Sequence, residues 1–551
     1  MRSALIPARI AAIIVCALVT LAGGRDLQGV AAPQDDDRLI FHVLNRVGFG
    51  PRAGDLARVR ALGVQKYIAE QLRPEKLHDA NVEARLAGLP TLTLSSRDIA
   101  EKYEIPQIEA RKERKENTAA QNKQDAEPRT PNPMQQRANL VVIELGEQKV
   151  IRAVYSERQL QEVLTDFWFN HFNVDARKGP ARFMLTEYER DVIRPRVLGK
   201  FRDLLEAVAK SPAMLFYLDN WMSADPNGPH QEMRPPRIVR GPFGGGPGTG
   251  LRPRTPGDLS PVPRVRPQPQ GKNARKGLNE NYGRELMELH TNGVDGGYTQ
   301  KDVTEVARAF TGWTIDKPRQ GGGFKFEPRI HDQGQKVVLG HVIKAGGGQG
   351  DGEQVLDLLA RHPSTARFIA TKLVRRFVSD TPPAPLVDRA AARFRETDGD
   401  LREVVRTILL SQEFLSHESY RAKVKTPVEF VASALRATAA DVQDATPVVR
   451  SLQQFGMPLY MCQPPTGYKD TADAWVNTGA LVARMNFALQ LAGNRLNGVV
   501  VQLPAPVDPP TLLDSMLGGD ASDTTRSTIA RATMPEQMVA LTLGSPEFQR
   551  K

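Results

Sequence analysis

The 551-residue sequence predicts a mainly α-helical fold: one large multi-helix, bundle-like domain with a small β-hairpin and a disordered Pro/Gly/Arg-rich insertion. Three observations carry this expectation. Apolar residues recur at i, i+3, i+4 and i+7 through most of the chain, which places them on one face of a helix. Strand signals are confined to one short region. One segment is so dense in Pro, Gly and Arg that it can neither propagate a helix nor bury enough apolar surface to order itself. With 40% hydrophobic residues, a chain of this length has ample material for a buried core.

Taken in order, the chain begins with "IAAIIVCALVTLAGG" at 10–24, uncharged and flanked by Arg9 and Arg25. This run is shorter than the roughly 20 residues a membrane span needs, so residues 1–32 read as a secretory signal peptide, with a membrane anchor as the alternative. Cleavage is expected near Ala31 or Ala32, giving a periplasmic or secreted protein with no stable membrane span after removal of the signal. Ile13, Ile14 and Val15 lack the small residue that a lipid-attachment cysteine wants ahead of it. Cys16 would leave with the signal, so Cys462 remains alone and no internal disulfide can form.

Residues 33–225 are expected to be the N-terminal part of the helical domain and 278–551 the C-terminal part of the same domain. Apolar stripes run through 160–172, 201–218, 302–313, 366–378, 401–415 and 478–492, and 111–133 reads as an exposed helix followed by a linker. The strand signal is "FKF" at 324–326 with "KVVLGHVI" at 336–343, expected to form a hairpin or ribbon. "LLSQEF" at 409–414 and "LGSPEF" at 543–548 echo each other without establishing a repeat.

Between the two parts lies the basic insertion, 226–277. The net charge is +11, of which 1–32 hold +2 and 233–277 hold +9, so the rest of the chain is neutral. A uniformly basic surface is thereby excluded. The insertion could grip a polyanion by counterion release. Without interleaved aromatics, however, the segment does not point to nucleic acid as a partner, and a solvated segment is the simpler reading.

Three segments carry chemistry. In "LNENYGRELMELH", 278–290, steps of about 100° put Leu278, Tyr282, Leu286 and Leu289 in one buried sector. Glu285, Asn281 and Glu288 flank that sector. A half-buried carboxylate either finds partners or takes up a proton. One outcome pairs Arg284 with Glu280 and Glu288 at i,i+4 spacing and leaves Asn281 to tie down backbone. The other gives Glu285 a raised pKa and a role as general acid or base. In "DFWFNHFNV", 166–174, His171 lies within an apolar stripe between Asn170 and Asn173, as a core histidine or as a reactive one. In "RIHDQGQK", 329–336, His331 and Asp332 occupy a turn-rich loop, as turn formers or as presented groups.

His171, Glu285 and His331 are thus the candidate catalytic groups, with Asn170, Asn281, Arg284, Glu288 and Asp332 to bind or orient. His171, Glu285, Glu288, His331 and Asp332 include ligand types suited to a divalent metal such as zinc or manganese, if the fold brings them together. "TNGVDGGYTQKD", 291–302, lacks the first and third calcium ligands and reads as a glycine turn followed by a Thr299/Asp302 capping box. "GGGQGDGE", 346–353, lacks the ending of a phosphate loop and reads as a flexible connector. No Gly-x-Ser-x-Gly, His-Glu-x-x-His or Cys-x-x-Cys is present.

The motifs "RLIFHVLNRVGFGP", "YSERQLQEVLTDFWFNHFNV", "SPAMLFYLDN", "NENYGRELMELHTNGVDGGYTQKDVTEVARAFTGWTI", the His-Asp of "RIHDQGQKVVLG", "PPTGY" with Trp475, and "LGSPEFQ" resemble the bacterial domain-of-unknown-function family numbered 1800. The resemblance runs from about residue 38 to the C-terminus, with Asn292 and Tyr468 as mild departures. It implies an exported, mostly helical protein, often encoded beside a partner that resembles alkaline phosphatases and sulfatases, and brings no reaction. The residues themselves favour a hydrolase-like enzyme acting on an extracellular polymer or ester. The other reading is a non-catalytic exported accessory or structural module whose partner does the chemistry.

Overall fold

The computed structural model describes residues 36–120, 133–228, 277–503 and 507–551. The expected signal segment and nearly all of the basic insertion lie outside them. Helices dominate, with three two-stranded antiparallel sheets. Among the described residues no helix is long and apolar enough to cross a membrane.

One large buried cluster draws on both sides of the insertion. Trp168 lies 5.9 Å from Phe172 and 6.0 Å from Phe201, ring centre to ring centre, and Phe201 carries the aromatic contacts on to Phe394 at 5.6 Å. Each such side chain, fully buried, contributes about 1.5–3 kcal/mol. Phe201 N–H donates to the Gly399 carbonyl and Leu401 N–H to that of Gly199, sewing together segments two hundred residues apart in sequence.

Three of the expected stripes are divided. The first breaks into Phe201–Ala209 and Pro212–Tyr217, because Ser211 is extended and Pro212 has no N–H to continue the ladder. The stripe at 302–313 is a helix only over Gln300–Ala309, after which Gly312 at φ +80° turns the chain into the strand Trp313–Ile315. The third splits at Ser411, whose hydroxyl caps the short Gln412–Leu415 helix. Ser545 caps Pro546–Gln549 the same way, and Phe414 and Phe548 are both buried. The echo of "SQEF" and "SPEF" is therefore a shared capping device. The exposed helix at Ile105–Ala120 is present, and the linker expected after it falls on 121–132, outside the described residues.

The expected hairpin is corrected in its pairing. Phe324–Phe326 pairs with Trp313–Ile315, and Lys336–Val338 folds back onto His341–Ile343. Leu339 and Gly340, both at positive φ, make the two-residue turn whose twist suits tight hairpins. The Thr299/Asp302 capping box forms as expected, and Asp302 also accepts a bond from Leu339 N–H at 2.7 Å.

The glycine-rich run at 346–353 is no flexible connector. A Cβ on Gly347 would lie 2.0 Å from Asp351 Oδ1, and one on Gly352 would lie 2.6 Å from the Trp313 ring. Gly350 begins the helix Gly350–Arg361. These glycines admit a buried carboxylate and an indole to close backbone contact.

Candidate functional site

The sequence-nominated residues occupy three separate surroundings. "LNENYGRELMELH" forms an α-helix only over Glu280–Glu285, and Leu286–Thr291 is a π-helical turn. Bonding of i to i+5 shifts the register that a 100° wheel assumes. Tyr282 and Leu286 are buried as the wheel requires, but Met287 takes the place in the core expected of Leu289. The expected ion pairs of Arg284 with Glu280 and Glu288 are not made. Arg284 donates instead to Gln300 Oε1 at 2.9 Å, Glu280 accepts from Gln300 and Thr304, and Glu288 accepts a 3.4 Å bond from Tyr298. Asn281 is exposed on a surface groove with Lys178 and Tyr217, so it does not tie down backbone. Glu285 is half-buried, and burial together with the Glu288 charge raises its pKa against the pull of Arg284.

His331 and Asp332 belong to a sealed cluster. His331 Nδ1 lies 2.7 Å from the Thr311 carbonyl and Nε2 lies 3.2 Å from Asp351 Oδ2. Lys336 Nζ reaches the same Oδ2 at 2.7 Å, with both side chains wholly buried. Asp332 is held by two Arg308 bonds of 2.7 and 3.0 Å. Burial opposes its ionisation, but the bonds from Arg308 and from Gly334 N–H hold its pKa below the ordinary value. These groups fasten the Lys336–Val338 strand to the Gly350–Arg361 helix.

His171 is different, because it borders a cavity of about 290 Å³. The Gln159–His171 helix supplies Asp166, Asn170 and His171, and the Pro363–Phe377 helix supplies Lys372, Arg375 and Arg376. The far wall is the loop bearing Thr466, Tyr468, Lys469, Asp470 and Thr471. Thr466 and Lys469 are exposed, so the cavity reaches solvent. The asparagines flanking His171 secure this loop: Asn170 exchanges bonds of 2.8 and 2.7 Å with the Tyr468 backbone. Asn173 donates to the Cys462 and Pro464 carbonyls, both at 2.9 Å. The "PPTGY" motif is thus the seat of a cavity wall.

The imidazole is fixed by its neighbours. Nε2 faces the His290 carbonyl at 3.2 Å, and a carbonyl only accepts, so Nε2 carries the proton. Nδ1 is left as an acceptor for Lys372 Nζ at 2.8 Å. Burial first, then the charges of Lys372 and His290, push the His171 pKa well down, so the ring is neutral. Burial also lowers the Lys372 pKa to about 8, with Arg375 adding to the effect and Asp470 opposing it. Among the described residues Lys372 has no carboxylate within ion-pair distance.

The sign of this shift can be tested. Because unfolded lysine holds its proton up to the ordinary 10.5, folding with Lys372 charged carries a penalty below pH 8 that disappears between about 8 and 10.5. Lys372→Met is therefore expected to be more stable than the parent at pH 7. That advantage should fade across the same window in urea titrations.

Lys372, Arg375 and Arg376 are the groups missed in the sequence. Their i, i+3, i+4 spacing in "KLVRR" was a readable sign of one cationic helix face, hidden within the apolar stripe at 366–378. Among the described residues no three His, Cys, Asp or Glu side chains are placed to hold a metal ion, so the expected five-residue metal set is not assembled.

A family model described as "Protein of unknown function (DUF1800)" matches residues 42–550. No curated protein and no solved structure matches.

Proposed function

Since the chain belongs to the DUF1800 family over nearly its whole length, a family without an assigned reaction, we propose that it is an exported hydrolase-like enzyme whose acid–base group is Lys372, seated on neutral His171. The observation that carries this reading is the 2.8 Å approach of Lys372 Nζ to an unprotonated His171 Nδ1 at the edge of a solvent-reaching cavity. The amine donates one N–H to Nδ1 whether it is charged or neutral, so its position does not depend on its protonation state.

Near pH 8 about half of such an amine is neutral, where a general base works best. A water in the cavity can pass its proton to the Lys372 lone pair as its oxygen attacks an ester carbonyl. The ammonium so formed can return that proton to the departing alkoxide. Glu285 and His331 have no part in this step, since the structure places neither on this cavity. The substrate expected from export is an extracellular polymer or its ester.

Competitive acetylation of the intact protein at a series of pH values, read residue by residue by mass spectrometry, tests the reading. Lys372 is expected to titrate near pH 8 and to move downward when His171 is replaced by Phe, which removes the Nδ1 acceptor that supports the ammonium form. A Lys372 titration at the ordinary lysine pH would end the proposal.

The second reading is the exported accessory module, with an alkaline-phosphatase-like or sulfatase-like partner supplying the chemistry. It is favoured by the satisfied bonding of Asn170, Asn173, His331 and Asp332, all of which serve the fold.

A further inference from the structure

Resting on the Lys372 reading and extending it to the substrate, we infer that the cavity takes the oxyanion group of its ligand, a carboxylate or a phosphate or sulfate, between Lys372, Arg375 and Arg376. Several charged residues of the lining already have partners. Asp166 is paired with Lys149 at 2.8 Å, and Lys469 with Asp473 at 3.1 Å. Arg376 spends Nη1 on Glu429, at 2.5 Å, and lies 3.7 Å from Asp470. Asp470 also lies 3.7 Å from Lys423.

Lys372 and Arg375 remain. Among the described residues, Arg375 makes a long 3.4 Å bond from Nε to the Asp380 carbonyl, and Lys372 bonds a neutral imidazole and lies 5.5 Å from the Phe368 ring centre. Among those residues neither cation has a carboxylate within ion-pair distance, and both border a solvent-reaching cavity one helical turn apart.

Arg376 is 4% exposed, and its Nε and Nη2 are closed to solvent and have no hydrogen-bond partner among the described residues, as is also true of Asp470 Oδ2 on the same lining. Buried guanidinium N–H groups are costly to leave unpaired, and two free N–H groups on one guanidinium suit the two oxygens of a carboxylate or phosphate. Phe167, Met457 and Tyr468 contribute the less polar remainder of the lining. The ligand is then an oxyanion carried on a partly apolar body or a sugar ring.

The placement also bears on the proposed acid–base step. An anion beside Lys372 favours its charged form, so ligand binding moves upward the pH at which Lys372 can accept a proton from water.

The test uses thermal unfolding of the full chain in inorganic phosphate, sulfate or glucuronate, against chloride at matched ionic strength. A saturable stabilisation that grows with the logarithm of anion concentration is expected. Half-saturation should weaken about tenfold in Arg375→Met, as for loss of a charge-assisted bond. Arg367→Met, exposed on the same helix and paired with Asp388, should leave it unchanged. Response to phosphate and sulfate alone assigns an ester of those acids, and response to glucuronate alone assigns a carboxylate. No saturable stabilisation by any of the three, or an equal one in Arg375→Met, overturns the inference. Acetylation of Lys372 in the chloride samples, free of the shift that a bound anion would cause, keeps the oxyanion site and the acid–base role apart. A low Lys372 titration without anion binding defeats only the oxyanion site, and anion binding with an ordinary Lys372 titration defeats only the acid–base reading.

Discussion

Replacing Asp351 with Ala is expected to destabilise the protein by about 3–5 kcal/mol, the range for removing one member of a buried ion pair. Lys336 would be left wholly buried, facing the Asp332 and Gly334 carbonyls at 2.5 and 2.9 Å, with its nearest remaining carboxylate that of Asp332, 3.7 Å away and already held by Arg308. His331 would lose its Nε2 partner in the same event. Lys336→Met alone should also be costly, because Asp351 would keep only His331. The double variant should recover much of the loss, since an apolar replacement of both partners leaves no orphaned charge. Urea midpoints for the four proteins give the coupling directly, and a double variant as unstable as the sum of the singles would refute the pairing. The Lys372 labelling profile should be unchanged in a folded double variant, because the sealed cluster lies apart from the cavity.

Gly467→Ala should cost about 2–4 kcal/mol, the usual range for strain at a special backbone conformation joined to a steric clash. Gly467 sits at φ +72°, where an L side chain is strained, and a Cβ there would lie 2.2 Å from the Asn170 backbone oxygen. The methyl can be accommodated only if the loop rises from the Gln159–His171 helix, which breaks the paired bonds between Asn170 and Tyr468. Trypsin cleavage after the exposed Lys469 should then accelerate under native conditions, alongside the lower urea midpoint. Unchanged cleavage and stability would show that the loop is not seated as described.

The helical character and the Thr299/Asp302 cap were legible because both depend on local spacing. Helical stripes report burial through a period of 3.6, and a capping box spans only four residues. The failures share a cause. The wheel for 278–290 assumed uniform α-helix, and the π turn at Leu286–Thr291 depends on packing that no local pattern displays. The hairpin partners were misassigned because three-residue strands carry little register information. The glycine run looked flexible because its glycines answer to Asp351 and Trp313, which reach them only in the folded chain.

At the candidate site His171 and its flanking asparagines were legible, but Asn170, expected to bind or orient, holds the loop instead, as Asn173 does. The three polar segments that a metal site would have joined are kept apart by the fold. Lys372 was invisible as a titrating group because a lysine in an amphipathic helix is ordinarily solvated. Only the tertiary placement beside His171 and Arg375 desolvates it.

The π turn has a reach beyond its own helix. The carbonyl of His290, on that turn, dictates which nitrogen of His171 bears hydrogen. Deleting one residue from 286–291 would restore ordinary winding and rotate that oxygen away. The imidazole could then flip and turn its N–H toward Lys372. A widened coil in one segment thus acts as a latch on the proton inventory of a pair contributed by two others.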